Sequence, residues 1–223
     1  MSVFWRPRGC VLWFDFAELQ GDTVYDLSGN NNHGTIYNCE WRRGHLVGSL
    51  YFNGTDAYVY VDNIVLDVTT ISEFAIEILI YPLSTEDQVT IFQGEGGEFQ
   101  WRVFWGGDFG FFYTKYTDGT TFKAYLPAKP INRLYYIVFN YRRGGTSEEY
   151  VNGVLEDTWS TPDKDIQPFS DYFSVGCWQR GVDFFTNAII HFCRIYNRAL
   201  SEREIRAHAN YLLQKYIAHP PFI

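Results

Sequence analysis

The sequence predicts an all-β protein, two antiparallel sheets packed as a sandwich or jelly roll, with one C-terminal α-helix. Three observations carry that expectation. Aromatic residues make up 19% of the 223 residues, and their rings suit pleated, half-buried surfaces better than helices. Short apolar or alternating runs follow one another at regular intervals with turn residues between them, the spacing of sandwiches and barrels. Only one stretch, near the end, shows helical periodicity.

The strands are read in order from "VLWFDF" (11–16), "SLYFNG" (49–54), "YVYVDN" (58–63), "FAIEILIYP" (74–82), "TIFQG" (90–94) and "EFQWRVFW" (98–105). They continue through "FGFFYTKY" (109–116), "LYYIVFNYR" (134–142), "EEYVNG" (148–153), "VLEDTWS" (154–160), "YFSVGCW" (172–178) and "NAIIHFCRIYN" (187–197). Alternation is plain in Tyr58-Val59-Tyr60-Val61 and in Phe74, Ile76, Ile78 and Ile80. Asn152-Gly153 between two runs marks a hairpin, because a tight primed turn needs positive φ at both central residues. Ser201 and Glu204 form a capping box, and Ile205, Ala209, Leu212, Leu213 and Tyr216 follow at helical spacing. The helix is placed at about 202–217, ending before His219-Pro220-Pro221. Ile205, Ala209 and Leu212 are expected to dock on the sandwich, leaving Leu213 and Tyr216 for a partner or the back of a sheet. No composition break divides the chain, so one domain over 1–223 is expected.

Charge and composition narrow the function. Twenty-six carboxylates against 18 Lys and Arg give a net charge of -8, which repels phosphate backbones and argues against a nucleic-acid partner. No apolar run is long enough to insert in a membrane as a helix, and no secretory signal is readable at the start. Cys10, Cys39, Cys177 and Cys193 lack zinc-ligand spacing. They fit either two disulfides in one of three connectivities or four buried thiols. The five histidines are dispersed, and neither a nucleophile elbow nor a phosphate loop is present. Asn53-Gly54-Thr55 matches a glycosylation acceptor but reads better as a turn.

Taken in order, "VLWFDF", "TVYDLSGNNNHGT" (23–35), "LYFNGTDAYVYV" (50–61), "YVNGVL" (150–155), "FSVG" (173–176) and "RIYNRALSEREI" (194–205) resemble the laminin G-like family of concanavalin A-like lectin/glucanase jelly rolls. The likeness spans roughly residues 10–207. It implies curved antiparallel sheets whose first and last strands are adjacent, with 11–16 near 189–196. It also implies binding of glycans or proteins, service in adhesion or attachment, and a place outside the cell or on a virion or cell surface. In similar domains the loop matching "DLSGNNNHG" forms a compact turn, often beside a structural calcium ion. Asp26, Asn30 and Asn32 supply the oxygens calcium prefers, whereas Gly29, Gly34 and the asparagines equally suit a left-handed turn. Where the family commonly has Asp before the last strand, this chain has His191, a poor calcium ligand.

Some related sandwiches are glycosidases, which need two carboxylates flanking the scissile bond. Their Glu-x-Asp-x-x-Glu or Glu-x-Asp-x-Glu run is missing. Glu73 and Glu77 share a face but sit about 13 Å apart at roughly 3.3 Å per residue, and Glu95 with Glu98 is the other near pair. The expected function is therefore a non-enzymatic, lectin-like module. Its candidate ligand residues are Trp101, Arg102, Trp105, Trp178, Gln179 and Arg180, which combine indoles for stacking with planar polar groups for hydroxyls. A structural or assembly protein, such as a virion or surface-layer component using the C-terminal helix for oligomers, is the alternative. A diverged glycosidase is the third reading.

Overall fold

The computed structural model describes residues 7–43, 48–62, 72–84, 89–94, 99–103, 110–167, 172–178, 181 and 183–217. Its strands are β1 (Cys10–Phe14), β2 (Thr23–Val24), β3 (Gly34–Tyr37), β4 (Glu40–Arg43), β5 (Gly48–Asn53), β6 (Tyr58–Asp62), β7 (Glu73–Pro82) and β8 (Val89–Gly94). The second half holds β9 (Phe99–Val103), β10 (Gly110–Lys115), β11 (Thr121–Leu126), β12 (Tyr135–Arg142), β13 (Thr146–Val151), β14 (Val154–Ser160), β15 (Tyr172–Val175) and β16 (Asn187–Tyr196), followed by helix α1 (Glu202–Ile217).

The strands form two antiparallel sheets. The first runs β14-β13-β12-β7-β16-β5-β4, and the second runs β11-β10-β9-β8-β15-β6-β3-β2. In the first sheet β5 pairs with the early half of β16, Asn53 opposite Asn187, while β1 pairs with its later half, Phe14 opposite Cys193. The first and last strands are thus neighbours, as the sequence leads one to expect.

The core lies between the sheets. Phe74, Ile76, Ile78 and Ile80 of β7 and Ile137, Phe139 and Tyr141 of β12 meet Val59, Val61, Phe112, Phe122, Phe173 and Val175 of the second sheet. Phe112 stacks on Phe139 at 4.4 Å and Phe74 on Tyr141 at 4.8 Å. Strands β7 and β12 read as nearly continuous apolar runs because they are buried on both faces. Their other face carries Ala75, Leu79, Tyr136 and Val138, and α1 covers it with Ile205, Ala209 and Leu212. Leu213 packs against the same cluster, so it serves the sheet's back; the side chain of Tyr216 lies outside the described residues. The capping box forms: Ser201 N–H donates to Glu204 Oε2 at 2.9 Å, and Glu204 N–H to Ser201 Oγ at 3.3 Å.

The hairpin turn has the predicted backbone, φ 52° at Asn152 and 83° at Gly153. Its glycine has a second reason. A Cβ on Gly153 would lie 2.9 Å from Cβ of Ala209, so the turn is held against the helix. The four cysteines are free thiols, with Cys10, Cys177 and Cys193 buried. Burial pushes the Cys177 thiol up to about 11 and that of Cys10 up to about 12, which keeps both protonated and unreactive near neutral pH.

Candidate functional site

The helix covers the outer face of the first sheet and leaves the outer face of the second to other uses. Strand parity decides what that face displays. Val59 and Val61 point to the core, so Tyr58, Tyr60 and Asp62 point out; Gly34 and Ile36 point in, so Thr35 and Tyr37 point out. Phe122, Ala124 and Leu126 are inward on β11, leaving Lys123 and Tyr125 outward.

Register joins these positions into one row. Thr35 is opposite Tyr60, Tyr60 opposite Ser174, Ser174 opposite Gln93, Gln93 opposite Gln100, Gln100 opposite Tyr113, and Tyr113 opposite Lys123. Six strand gaps of about 4.8 Å make the row roughly 29 Å wide. The side chain of Gln93 lies outside the described residues; the other members carry hydroxyl, amide or ammonium groups. Exposure falls from the ends, where Thr35 and Lys123 are open, to the middle, where Ser174 and Gln100 are buried.

Rings flank the row. Tyr37 stacks on Tyr58 with centroids 4.6 Å apart and planes 10° from parallel. Tyr60 and Tyr172 meet at 5.6 Å. Tyr37 is 41% exposed and Tyr125 is 57% exposed, and the Lys123 ammonium lies 5.1 Å over the Tyr125 ring. Tyr60 O–H reaches Asp62 Oδ1 at 3.4 Å. The loop after β15 borders this face, since a Cβ on Gly181 would meet the Tyr58 ring at 2.4 Å.

Of the residues expected to bind ligand, the side chains of Trp101 and Trp178 are among those described. Trp101 is fully buried in the inter-sheet core, 6.4 Å from Phe139, and this corrects its reading as a stacking platform. Its large ring fills volume between the sheets. Arg102 is adjacent on β9 and so has outward parity; its side chain, with Trp105, Gln179 and Arg180, lies outside the described residues. Trp178 is half-buried in the bordering loop, where its backbone N–H donates to Asp183 O at 2.8 Å and its ring meets Phe184 edge-on at 5.6 Å. The tyrosine face was missed, although the alternation of Tyr58 to Val61 signalled it.

The asparagine-rich loop braces β1. Asp26 Oδ1 accepts from the N–H groups of Trp13 and Ser28, both at 2.9 Å. Its Oδ2 accepts from the Ser28 hydroxyl at 2.7 Å and Asn32 N–H at 3.1 Å. The amide groups of Asn30 and Asn32 donate to Val11 O at 3.2 and 2.8 Å. Gly29 and Asn31 take positive φ, 92° and 61°, the conformation such residues tolerate. A carboxylate has about four acceptor positions, and all are in use here. No group of three or more His, Cys, Asp and Glu gathers among the described residues. In this arrangement the Asp26 carboxylate is taken up by hydrogen bonds of the turn itself. His191 is buried, and burial lowers its pKa to about 4, so its imidazole is neutral.

Among the described residues, Glu73, Glu77 and Glu149 are each engaged by basic side chains. Glu77 is fully buried under α1 and held by Tyr136 O–H at 2.6 Å, Arg194 Nη1 at 2.7 Å, Tyr196 O–H at 2.8 Å and His208 Nδ1 at 3.0 Å. Burial alone would raise its pKa, but Arg194, His208 and Tyr136 together hold it below the ordinary carboxylate range. Glu73 stands at the strand's start, 3.7 Å from Arg142. Glu95 and Glu98 lie outside the described residues. Glu149, also buried, shares the Lys129 ammonium with Glu156, at 3.1 and 2.9 Å.

Comparison with known proteins agrees with this architecture. Residues 53–206 match the family model described as the concanavalin A-like lectin/glucanases superfamily. No curated protein matches the sequence. Among solved structures, domain 4 of AbnA, an extracellular arabinanase from Geobacillus stearothermophilus, is similar with a TM-score of 0.70 at 16% identity, over 90% of this chain and 98% of that one. The binding domain of botulinum neurotoxin DC matches with a TM-score of 0.72 at 18% identity, over 92% of this chain and 52% of that one. The binding domain of Paraclostridial Mosquitocidal Protein 1 gives 0.69 at 17% identity, over 92% and 52%. The chain thus spans about half the length of the toxin binding domains it matches. At these identities the likeness is one of fold.

Proposed function

The chain belongs to the concanavalin A-like lectin/glucanases superfamily, and from that premise we propose a non-catalytic module that binds glycans or glycoproteins through the tyrosine face of the second sheet. The observation that carries this reading is the polar row from Thr35 to Lys123 with tyrosine rings along it. A sugar presents C–H groups on one face of its ring and hydroxyls at the edge. An aromatic ring packs on the first and amide, hydroxyl or ammonium groups bond the second, so a site needs both kinds side by side. Tyr37, Tyr58 and Tyr125 offer rings, and Thr35, Tyr60, Tyr113 and Lys123 offer polar groups. The row's open ends, Thr35 with Tyr60 on one side and Tyr113 with Lys123 on the other, are where such contacts can form. Each contact on an open face buries little area, so affinity per site is low and multivalency sets avidity.

Two similar structures support the choice of ligand class: the arabinanase domain was solved with arabinotriose and the botulinum DC binding domain with SialylT. The latter toxin domain was also solved with rat synaptotagmin II, which keeps a protein ligand in view as well as a free glycan. A broad glycan array tests the proposal, followed by Tyr37→Ala and Tyr58→Ala on any hit. Binding should vanish while the melting temperature holds. A blank array with the intact protein would overturn the glycan reading, and binding that survives both substitutions would move the site elsewhere.

A further inference from the structure

A sheet edge presents a row of unpaired N–H and C=O groups, and proteins guard such rows with covering loops, short strands or cations. Several edges of the described strands are guarded in these ways. The asparagine-rich loop covers β1, where Leu27 N–H donates to Trp13 O at 2.9 Å and Asn32 Nδ2 to Val11 O at 2.8 Å. Strand β2 has two residues, and β4 has four that include Arg42 and Arg43. Strand β11 carries the exposed Lys123.

Among the described residues, β14 has no such guard. It ends the first sheet against β13 and runs for seven residues without a proline or a cation. It also shows apolar surface, with Val154 67% and Leu155 46% exposed. At about 3.3 Å per residue the edge is roughly 23 Å long, room for one extended segment. Charge says which kind. The hairpin of β13 and β14, residues 146–160, holds Glu148, Glu149, Glu156 and Asp157 and no Lys, Arg or His. Arg142 meets Glu148 at 2.7 Å, and Lys129 meets Glu149 and Glu156 at 3.1 and 2.9 Å. Asp157 accepts from Thr158 N–H at 2.8 Å and has no ion pair among the described residues. A second copy of the chain fits this edge badly. Antiparallel self-pairing would bring Glu156 and Asp157, near the middle of the strand, against the same residues of the other copy, and like charges across strands repel.

We propose that β14 takes up an extended basic segment of a partner protein by strand addition. Backbone groups of the segment continue the ladder, its apolar side chains lie beside Val154 and Leu155, and a Lys or Arg meets Asp157. The edge belongs to the first sheet, so this interaction is separate from the tyrosine face and does not depend on it.

The test is fluorescence anisotropy of the intact chain with a labelled peptide of alternating Lys and Val, as long as β14. Two control peptides accompany it, one with Glu in place of Lys and one methylated on every backbone nitrogen. The Lys peptide should bind with a Kd on the order of 100 μM, ordinary for a short segment ordered on an open edge. Both controls should bind at least about tenfold more weakly, the first for charge and the second for lost ladder bonds. Leu155→Lys gives β14 the cation that other edges carry and should weaken the peptide about tenfold. Asp157→Asn should weaken it a few-fold, the worth of one exposed ion pair. Tyr37→Ala should leave it unchanged. No saturation by the Lys peptide, or equal binding of either control, would overturn the proposal with the wild-type chain alone. Wild-type affinity in Leu155→Lys would do the same. So would a dimer in sedimentation of the chain by itself that Leu155→Lys dissociates, because the occupant would then be a second copy.

Discussion

Replacing Glu149 by glutamine should flatten a pH dependence that this one residue imposes. Glu149 is fully buried, and the cation beside it, Lys129, is shared with Glu156. One ammonium cannot neutralise two carboxylates, and burial, the larger effect, drives the Glu149 pKa from 4.5 up to about 7. The sign follows from proton counts. Between these values the unfolded chain has released the Glu149 proton and the folded chain keeps it, so stability falls as pH rises from about 4.5 to about 7 and then levels off. At 1.36 kcal/mol per pKa unit the loss comes to roughly 3 kcal/mol. Glu149→Gln replaces the protonated acid by a group of the same shape that never ionises. Urea denaturation of wild type and variant at pH 4.5, 6 and 8 would measure this. The two should be nearly equal at the lowest pH, and the variant should be more stable by about 3 kcal/mol at the highest. A constant difference between them across the range, or a variant weaker at pH 8, would refute the argument and show the Lys129 pair to be net stabilising.

Trp101→Ala should cost about 3–5 kcal/mol, the price of an emptied aromatic core site, visible as a shift of the denaturation midpoint with no specific effect on ligand. Asp26→Ala should destabilise by about 2–4 kcal/mol, because it strands the Trp13 and Asn32 N–H groups among others; a chelator, by contrast, should leave the melting temperature of the wild type in place, and a fall in it would reinstate calcium at this loop. Truncation after Ala207 removes Ala209, Leu212 and the His208 contact to Glu77 and should lower stability by at least about 3 kcal/mol. An unchanged denaturation curve would mean that α1 does not seal the sheet.

Where the chain is buried on alternate residues or on both faces, its sequence was sufficient. The run at 74–82 became β7 (Glu73–Pro82), and the capping box marked the start of α1 (Glu202–Ile217). Four strands escaped notice: β2 with two residues, β3 and β4 with four each, and β11. Strand β4, Glu-Trp-Arg-Arg, is a sheet edge with no inward apolar series to reveal it. Strand β11 does alternate, Phe122, Ala124 and Leu126 buried between exposed neighbours, but small Ala124 weakens the pattern. The site was harder to read for a different reason. Parity separates Tyr58 and Tyr60 from Val59 and Val61, yet which sheet keeps an open face depends on where α1 docks, about 150 residues later in the chain. Clustered tryptophans drew attention to 101–105, and Trp101 proved to be core because the largest rings are also the best fillers of a wide inter-sheet gap.

The Glu77 cluster has a consequence for how the chain folds. Its partners Tyr136, Arg194, Tyr196 and His208 stand 59, 117, 119 and 131 residues further along. The Tyr136 bond, from neighbouring β12, can form when β7 and β12 pair, but those of Arg194 and Tyr196 must wait until β16 lies beside β7, and that of His208 until α1 has settled over the sheet. Until then the carboxylate stays open to water, and β7 can pair with β12 without the later bonds. Interactions completed after the main barrier leave the folding rate nearly alone and govern how fast the native chain opens. The cluster is thus a latch closed last, and its loss in Glu77→Gln would appear chiefly as faster unfolding.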